Sequence, residues 1–156
     1  MARIVRPAVQ EEGQAMSVDT ECVFCKIVSG QIPACKILDT DSAIAFLDIG
    51  PLADGHLLLI PKTHYGRIDE MPADQAAGLA ELLPRLGRVL VQVTGADGFN
   101  VLQNNGPVAG QVVPHVHIHL IPRTADDGLG YRWNAGSYAP GQADELADRF
   151  RQALQG

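Results

Sequence analysis

Pro114-His115-Val116-His117-Ile118-His119-Leu120-Ile121 alternates imidazole and aliphatic side chains. Successive residues of a β-strand point to opposite faces, so the alternation predicts a strand over Val116–Ile121, closed by Pro122. His115, His117 and His119 then share one face, while Val116, Ile118 and Leu120 turn into a core. On that face the imidazoles are attached roughly 6.5–7 Å apart. Near neutral pH an imidazole serves as nucleophile, general acid or base, or hydrogen-bond donor. Three of them on a half-buried strand add nothing to packing that β-branched residues would not supply better. The run therefore points to a catalytic or ligand role, ahead of chance clustering or plain His-tract metal binding. It is internal and interleaved with core residues, so it is not an expression tag.

Just upstream lies Gln103-Asn104-Asn105-Gly106-Pro107-Val108-Ala109-Gly110-Gln111. Its glycines allow close backbone approach to a ligand, and free N–H groups in such a loop cradle phosphate. A loop of this kind leading into a histidine-lined strand is the order expected of phosphoryl or nucleotidyl transfer.

The rest of the chain supplies a scaffold. Cys22–Val28 reads as a short helix capped by Gly30. Lys36–Leu38, Ala43–Leu47, His56–Ile60 and Gly98–Gln103 read as strands. Pro72–Val93 carries Leu79, Leu82, Leu83, Leu86, Val89, Leu90 and Val93 at helical spacing, with Pro84 predicting a kink or the start of a second helix. Residues 124–141 form a Gly- and Pro-rich loop. Asp144–Leu154 is a C-terminal amphipathic helix, with Leu146, Phe150 and Leu154 at four-residue spacing. The expected class is α+β: a five-stranded antiparallel sheet with one long helix and a C-terminal helix.

The 156 residues, 46% hydrophobic, suffice for one domain with its own core. A formal net charge of -6 argues against a nucleic-acid backbone groove, which needs clustered Lys and Arg. It leaves room for a small phosphorylated ligand held locally. Three cysteines do not make a disulfide framework. No run approaches the roughly 20 apolar residues of a membrane span, and Glu11 and Glu12 interrupt the N-terminus where a signal peptide would be apolar. The cytoplasm is the expected location. Residues 1–19 read as a disordered leader, with Met16 as an alternative start, and residues 20–156 as the domain.

His115-Val116-His117-Ile118-His119-Leu120-Ile121 matches at every position the motif of the histidine-triad (HIT) nucleotide-binding family. Phe24–Gly30, Ile32-Pro33, Phe46–Ile49, Gly55-His56, Ile60–His64 and Ala109–Gln111 also resemble the bacterial Hint-like branch. The resemblance implies a nucleotide hydrolase or nucleotidyl transferase working at the α-phosphate. His117 would form a covalent nucleotidyl-histidine, His119 and His56 would donate to phosphate oxygens, and Asn104 would position the phosphate. Gly110, Gln111 and Val112 would contribute the phosphate loop. Asp48 would take the ribose hydroxyls, and Phe24, Ile27, Ile49 and Leu58 would form the base slot, although each of these four is as readily a core residue. Val112 departs from the pattern, because Hint-like members often carry a hydroxyl there to assist the leaving group. That favours dinucleoside polyphosphates over phosphoramidates as substrates.

Cys22-x-x-Cys25 has the spacing of a metal pair but supplies only two ligands. Zinc-containing relatives complete the set with two histidines, which here would be His64 and His115. A closed four-ligand site of that kind is structural. A redox pair or two idle thiols are the rival readings, and Cys35 reads as a small apolar filler. The resemblance further implies a homodimer through the long helix and a sheet edge, and residues 130–133 in a region that tunes substrate choice. The alternatives are a non-catalytic nucleotide-binding, zinc-stabilised interaction module and, more distantly, a sugar-phosphate nucleotidyl transferase.

Overall fold

A computed structural model of the chain describes residues 19–129 and 135–155. Apart from Asp19, the expected leader lies outside the described residues. So do Met16 and residues 130–133. Among the described residues no helix is long and apolar enough to cross a membrane.

The elements run α1 (Val23–Val28), β1 (Lys36–Asp39), β2 (Ala43–Leu47), β3 (Leu57–Pro61), α2 (Ala73–Thr94), β4 (Gly98–Gln103), β5 (Ile118–Arg123) and α3 (Gln142–Ala153). The strands form one antiparallel sheet in the order β1-β2-β3-β5-β4. The α+β class with five antiparallel strands is thus the observed architecture. Gly30, with φ 78, ends α1 in the left-handed conformation that an L side chain resists, and Gln31 N–H closes the turn on Lys26 O at 2.8 Å.

Each face of the sheet has its own core. On one, Leu79, Leu86 and Leu90 of α2 pack on Ala43, Ala45, Leu57, Leu59, Val116, Ile118 and Leu120. Each buried leucine contributes about 1.5–3 kcal/mol. Gly87 lets this helix approach β4 closely, since a Cβ there would stand 2.4 Å from the Phe99 ring. On the other face, α1 packs Phe24, Cys25 and Ile27 against Ile44, Phe46, Leu58 and Ile60.

Several elements differ in detail from the sequence expectation. Pro84 neither splits α2 nor starts a new helix. It sits on the exposed side, as does Ala80, whose carbonyl loses its partner there and faces water instead. Val89 and Val93, read as part of the apolar stripe, are 39% and 77% exposed and line an open cavity with Leu47 and Leu57 instead of packing closed on the sheet.

The ladder of β5 begins at Ile118 rather than Val116, because Val116 N–H donates to Tyr65 O at 2.7 Å instead of to a neighbouring strand. At its other end β5 runs through Pro122 to Arg123. Pro122 pairs only with Phe99 of β4, beyond the reach of β3, so its missing N–H breaks no second ladder. The helix expected near the C-terminus is present as α3, but Phe150 and Leu154 remain 69% and 86% exposed.

Candidate active site and metal centre

The triad segment projects its imidazoles onto the α1 side of the sheet, while Val116, Ile118 and Leu120 enter the α2 core. His115 is 0% exposed and His117 4%, so both are held by packing rather than by solvent. Phe24 lies edge-on to both rings, its centroid 5.8 Å from His115 and 5.2 Å from His117.

The partner of one ring nitrogen fixes what the other nitrogen offers. His117 Nδ1 lies 2.6 Å from His115 O, so Nδ1 carries the proton and donates it to that carbonyl. The Nε2 lone pair of His117 is thereby left available as a nucleophile. Leu52 N–H donates to His56 Nδ1 at 3.1 Å, which puts the His56 proton on Nε2. That proton is directed to His119 Nδ1, 2.9 Å away, so His119 in turn carries its own on Nε2. A backbone amide thus sets a chain of donors running from Leu52 through His56 to His119. Burial lowers the pKa of His56, with Asp48 opposing the shift. Burial also takes His119 down to about 4, reinforced by His117 and His56 and opposed by Asp48. Both rings are neutral at pH 7, as the donor chain requires.

Asp48, His56 and His119 also place ligand atoms within 4.8 Å of one another. They do not suit a cation, because His56 spends one lone pair on Leu52 N–H and would have to become imidazolate to ligate with the other. Asp48 lies at the rim, its Oδ2 3.7 Å from His56 Nε2 and its Oδ1 accepting from Gly50 N–H at 2.8 Å.

The other end of the segment gathers four side chains that could hold a metal ion. Cys22 Sγ, Cys25 Sγ, His64 Nδ1 and His115 Nδ1 all lie within 4.8 Å of one another. His115 Nδ1 is 3.5 Å from Cys22 Sγ, 3.7 Å from Cys25 Sγ and 3.2 Å from His64 Nδ1, and Cys25 Sγ is 3.4 Å from His64 Nδ1. A tetrahedron of ~2.3 Å metal–sulfur and ~2.0 Å metal–nitrogen bonds has edges of about 3.5 Å for S···N and about 3.3 Å for N···N. His115 Nε2 donates to Pro61 O at 2.9 Å, which leaves its Nδ1 lone pair facing the cluster. Burial pushes the Cys25 thiol up, so a thiolate there calls for a cation beside it.

The other residues named from sequence fall into two groups. Phe24, Ile27 and Leu58 share one buried cluster on the histidine side, but Ile49 is fully exposed and does not join them. Asn104 reaches across the loop mouth, its Nδ2 3.5 Å from Gly110 O. Gly106 and Gly110 have φ 84 and φ 90, which turn the loop back on itself. Val112 is 90% exposed beyond it. The Gln111 side chain, by contrast, is buried and bonded at both ends. A cavity of about 410 Å³ bounded by Leu47, Leu57, Leu90 and Val93 lies on the α2 side and contains none of the histidines. Sequence reasoning missed the Leu52 amide and the Tyr65 carbonyl, since a backbone contact leaves no mark on residue type.

The model of the HIT domain family matches residues 29–126. An adenosine 5'-monophosphoramidase from Candida albicans is 38% identical over 144 residues, 89% of this chain and 95% of its own length. An adenylylsulfatase from Arabidopsis thaliana is 42% identical over 116 residues, 74% of this chain, and the chain spans only 59% of that relative. Among solved structures, a zinc-bound histidine triad family protein from Mycobacterium smegmatis superposes with a TM-score of 0.67 at 40% identity, covering 74% of this chain and 84% of its own.

Proposed function

The chain belongs to the HIT domain family, and from that premise we propose that it is a nucleotide hydrolase or nucleotidyl transferase acting at the α-phosphate of purine nucleoside phosphoramidates or dinucleoside polyphosphates. The observation that carries the reading is the His117 ring, tied at Nδ1 to His115 O and free at Nε2 beside His119. His117 Nε2 attacks the α-phosphorus, and the bond from phosphorus to the leaving group breaks. Water then attacks the nucleotidyl-histidine, the P–N bond breaks, and a nucleoside monophosphate leaves with His117 restored. His119 Nε2–H and the loop amides meet the charge that redistributes over the phosphate oxygens. Asn104 positions the phosphate, Asp48 takes the ribose hydroxyls, and Phe24, Ile27 and Leu58 supply the base slot.

Val112 refines the choice of substrate. It offers no side-chain proton to a departing group, so leaving groups that depart as stable anions are favoured over amines. The relatives named for phosphoramidate and for adenylyl sulfate bracket the two cases, since sulfate leaves without needing a proton.

The Cys22, Cys25, His64 and His115 set would hold one structural zinc, a reading supported by the donor geometry and by the zinc-bound relative. All four positions are filled by protein, so zinc there contributes folding energy. Its thiolates suit a reducing compartment, and the cytoplasm is the proposed location. We further propose a homodimer through α2 and the β4 edge, where Phe99 and Val101 are 38% and 48% exposed.

The test is a hydrolysis panel of adenosine monophosphoramidate, adenylyl sulfate and diadenosine tetraphosphate. His117→Ala is expected to lower turnover of every substrate by about 10³-fold or more. Mass spectrometry of the quenched wild type should show an AMP adduct that the variant lacks. Undiminished turnover by His117→Ala would remove the nucleophile. AMP binding without any turnover by the wild type would favour the non-catalytic module.

A further inference from the structure

Gln111 stands in the phosphate loop, yet its side chain is turned away from the space where a nucleotide would lie. It is 7% exposed, and its amide is used at both ends. Gln111 Oε1 accepts from Gly106 N–H at 2.6 Å, which closes the loop on itself. Gln111 Nε2 donates to Gly66 O at 2.7 Å, which ties the loop to a different part of the chain. Gly66 lies two residues after His64, whose Nδ1 faces Cys25 Sγ and His115 Nδ1. The same segment is fastened on either side. Tyr65 O accepts from Val116 N–H at 2.7 Å, and Ile68 N–H donates to Asn105 Oδ1 at 2.9 Å. Glu70 Oε2 accepts from Gly66 and Arg67 N–H and keeps the turn rigid. Residues 64–68 therefore form a short bracket with the metal-type cluster at one end and the phosphate loop at the other.

We propose that Gln111 is a positioning residue that couples the Cys22, Cys25, His64 and His115 cluster to the phosphate loop. The coupling rests on the nucleotide and zinc readings above. A metal holding His64 fixes the Gly66 carbonyl. The Gly66 carbonyl fixes Gln111, and Gln111 fixes Gly106 and with it the direction of the loop amides. Coupling of this kind is reciprocal, so a nucleotide that orders the loop must also tighten the metal.

The experiment measures zinc affinity by competition with a chromophoric chelator, with and without saturating AMP. It uses the wild type, Gln111→Glu and Gln111→Met. Glu keeps an acceptor for Gly106 N–H but sets oxygen against oxygen at Gly66. Met removes both bonds without adding charge, so it separates loss of the tie from repulsion of phosphate. In the wild type, AMP is expected to raise zinc affinity about tenfold, within the usual range for coupled sites. In both variants that ratio falls towards one, while zinc still binds at one per chain. A variant that is merely less stable binds zinc more weakly in both conditions and keeps the ratio, which would overturn the proposal. A wild-type ratio of one with AMP bound would also overturn it. If calorimetry shows that the wild type does not bind AMP, the nucleotide reading fails. The coupling falls with it, because no ligand then sits at the loop to be felt at the cysteine cluster.

Discussion

The two ends of one histidine run do opposite things with the same side chain. At His115 two imidazole nitrogens and two sulfurs converge within 4.8 Å of one another, an arrangement that could hold a metal ion. At His56 and His119 the imidazoles are placed head to tail, each offering a proton where the next offers a lone pair, and the last proton, on His119 Nε2, is left for an acceptor. The difference lies in what occupies the remaining ring nitrogen: Pro61 O for His115, His115 O for His117, Leu52 N–H for His56. Spacing along a strand selects which residues meet, and backbone partners decide which ring nitrogen of each carries the proton.

The sharpest way to break this division is to damage each end and read both. His117→Ala should remove activity while leaving metal content and melting temperature close to wild type. Cys25→Ser should lose metal and lower the melting temperature by about 10 °C or more. Zinc analysis and thermal unfolding on the two variants check the pair. Loss of metal in His117→Ala would show that the ends are not separate sites.

A smaller effect concerns acid. His119 has its pKa lowered to about 4 by burial, and that of His56 is lowered as well, whereas an unfolded histidine titrates near 6.5. Between those values the unfolded chain binds more protons than the folded one, so stability falls as pH drops from about 6.5 towards about 4. Replacing His119 by Gln removes its share. Thermal unfolding of His119→Gln should therefore depend less steeply on pH over that interval than the wild type. Equal slopes would place the acid sensitivity at other groups, His56 among them.

The smallest expected effect is a gain. Val112→Ser restores a hydroxyl at an exposed position, and turnover of adenosine monophosphoramidate should rise by about tenfold. Turnover of adenylyl sulfate, whose leaving group needs no proton, should stay within about twofold. A uniform rise on both substrates would show that the hydroxyl acts on the phosphate rather than on the leaving group.

The strand alternation was legible because its period is a property of the backbone. It separated His115, His117 and His119 from Val116, Ile118 and Leu120 without any knowledge of the neighbours. The helix spacing of α2 was equally plain, but which of its residues stay exposed depends on how closely the helix seats on the sheet, and Val93, left lining an open cavity, shows that no local pattern carries that. Sorting the five histidines into metal and phosphate groups came from family resemblance rather than from spacing. The physical basis of that sorting is long-range, in carbonyls and amides at Pro61 and Leu52 that any residue would provide. Gln111 was assigned to the phosphate loop by resemblance, and only the fold shows its side-chain amide bonded to Gly106 and Gly66.

Phe24 touches two neighbouring histidines of the run with one ring, edge-on to His115 and to His117. Any change at this position is therefore assessed twice, once by the leak of water into the cysteine cluster and once by the aim of the His117 ring. A chain drifting through sequence space has few exits from such a position, since a substitute that satisfies one neighbour must satisfy the other in the same step.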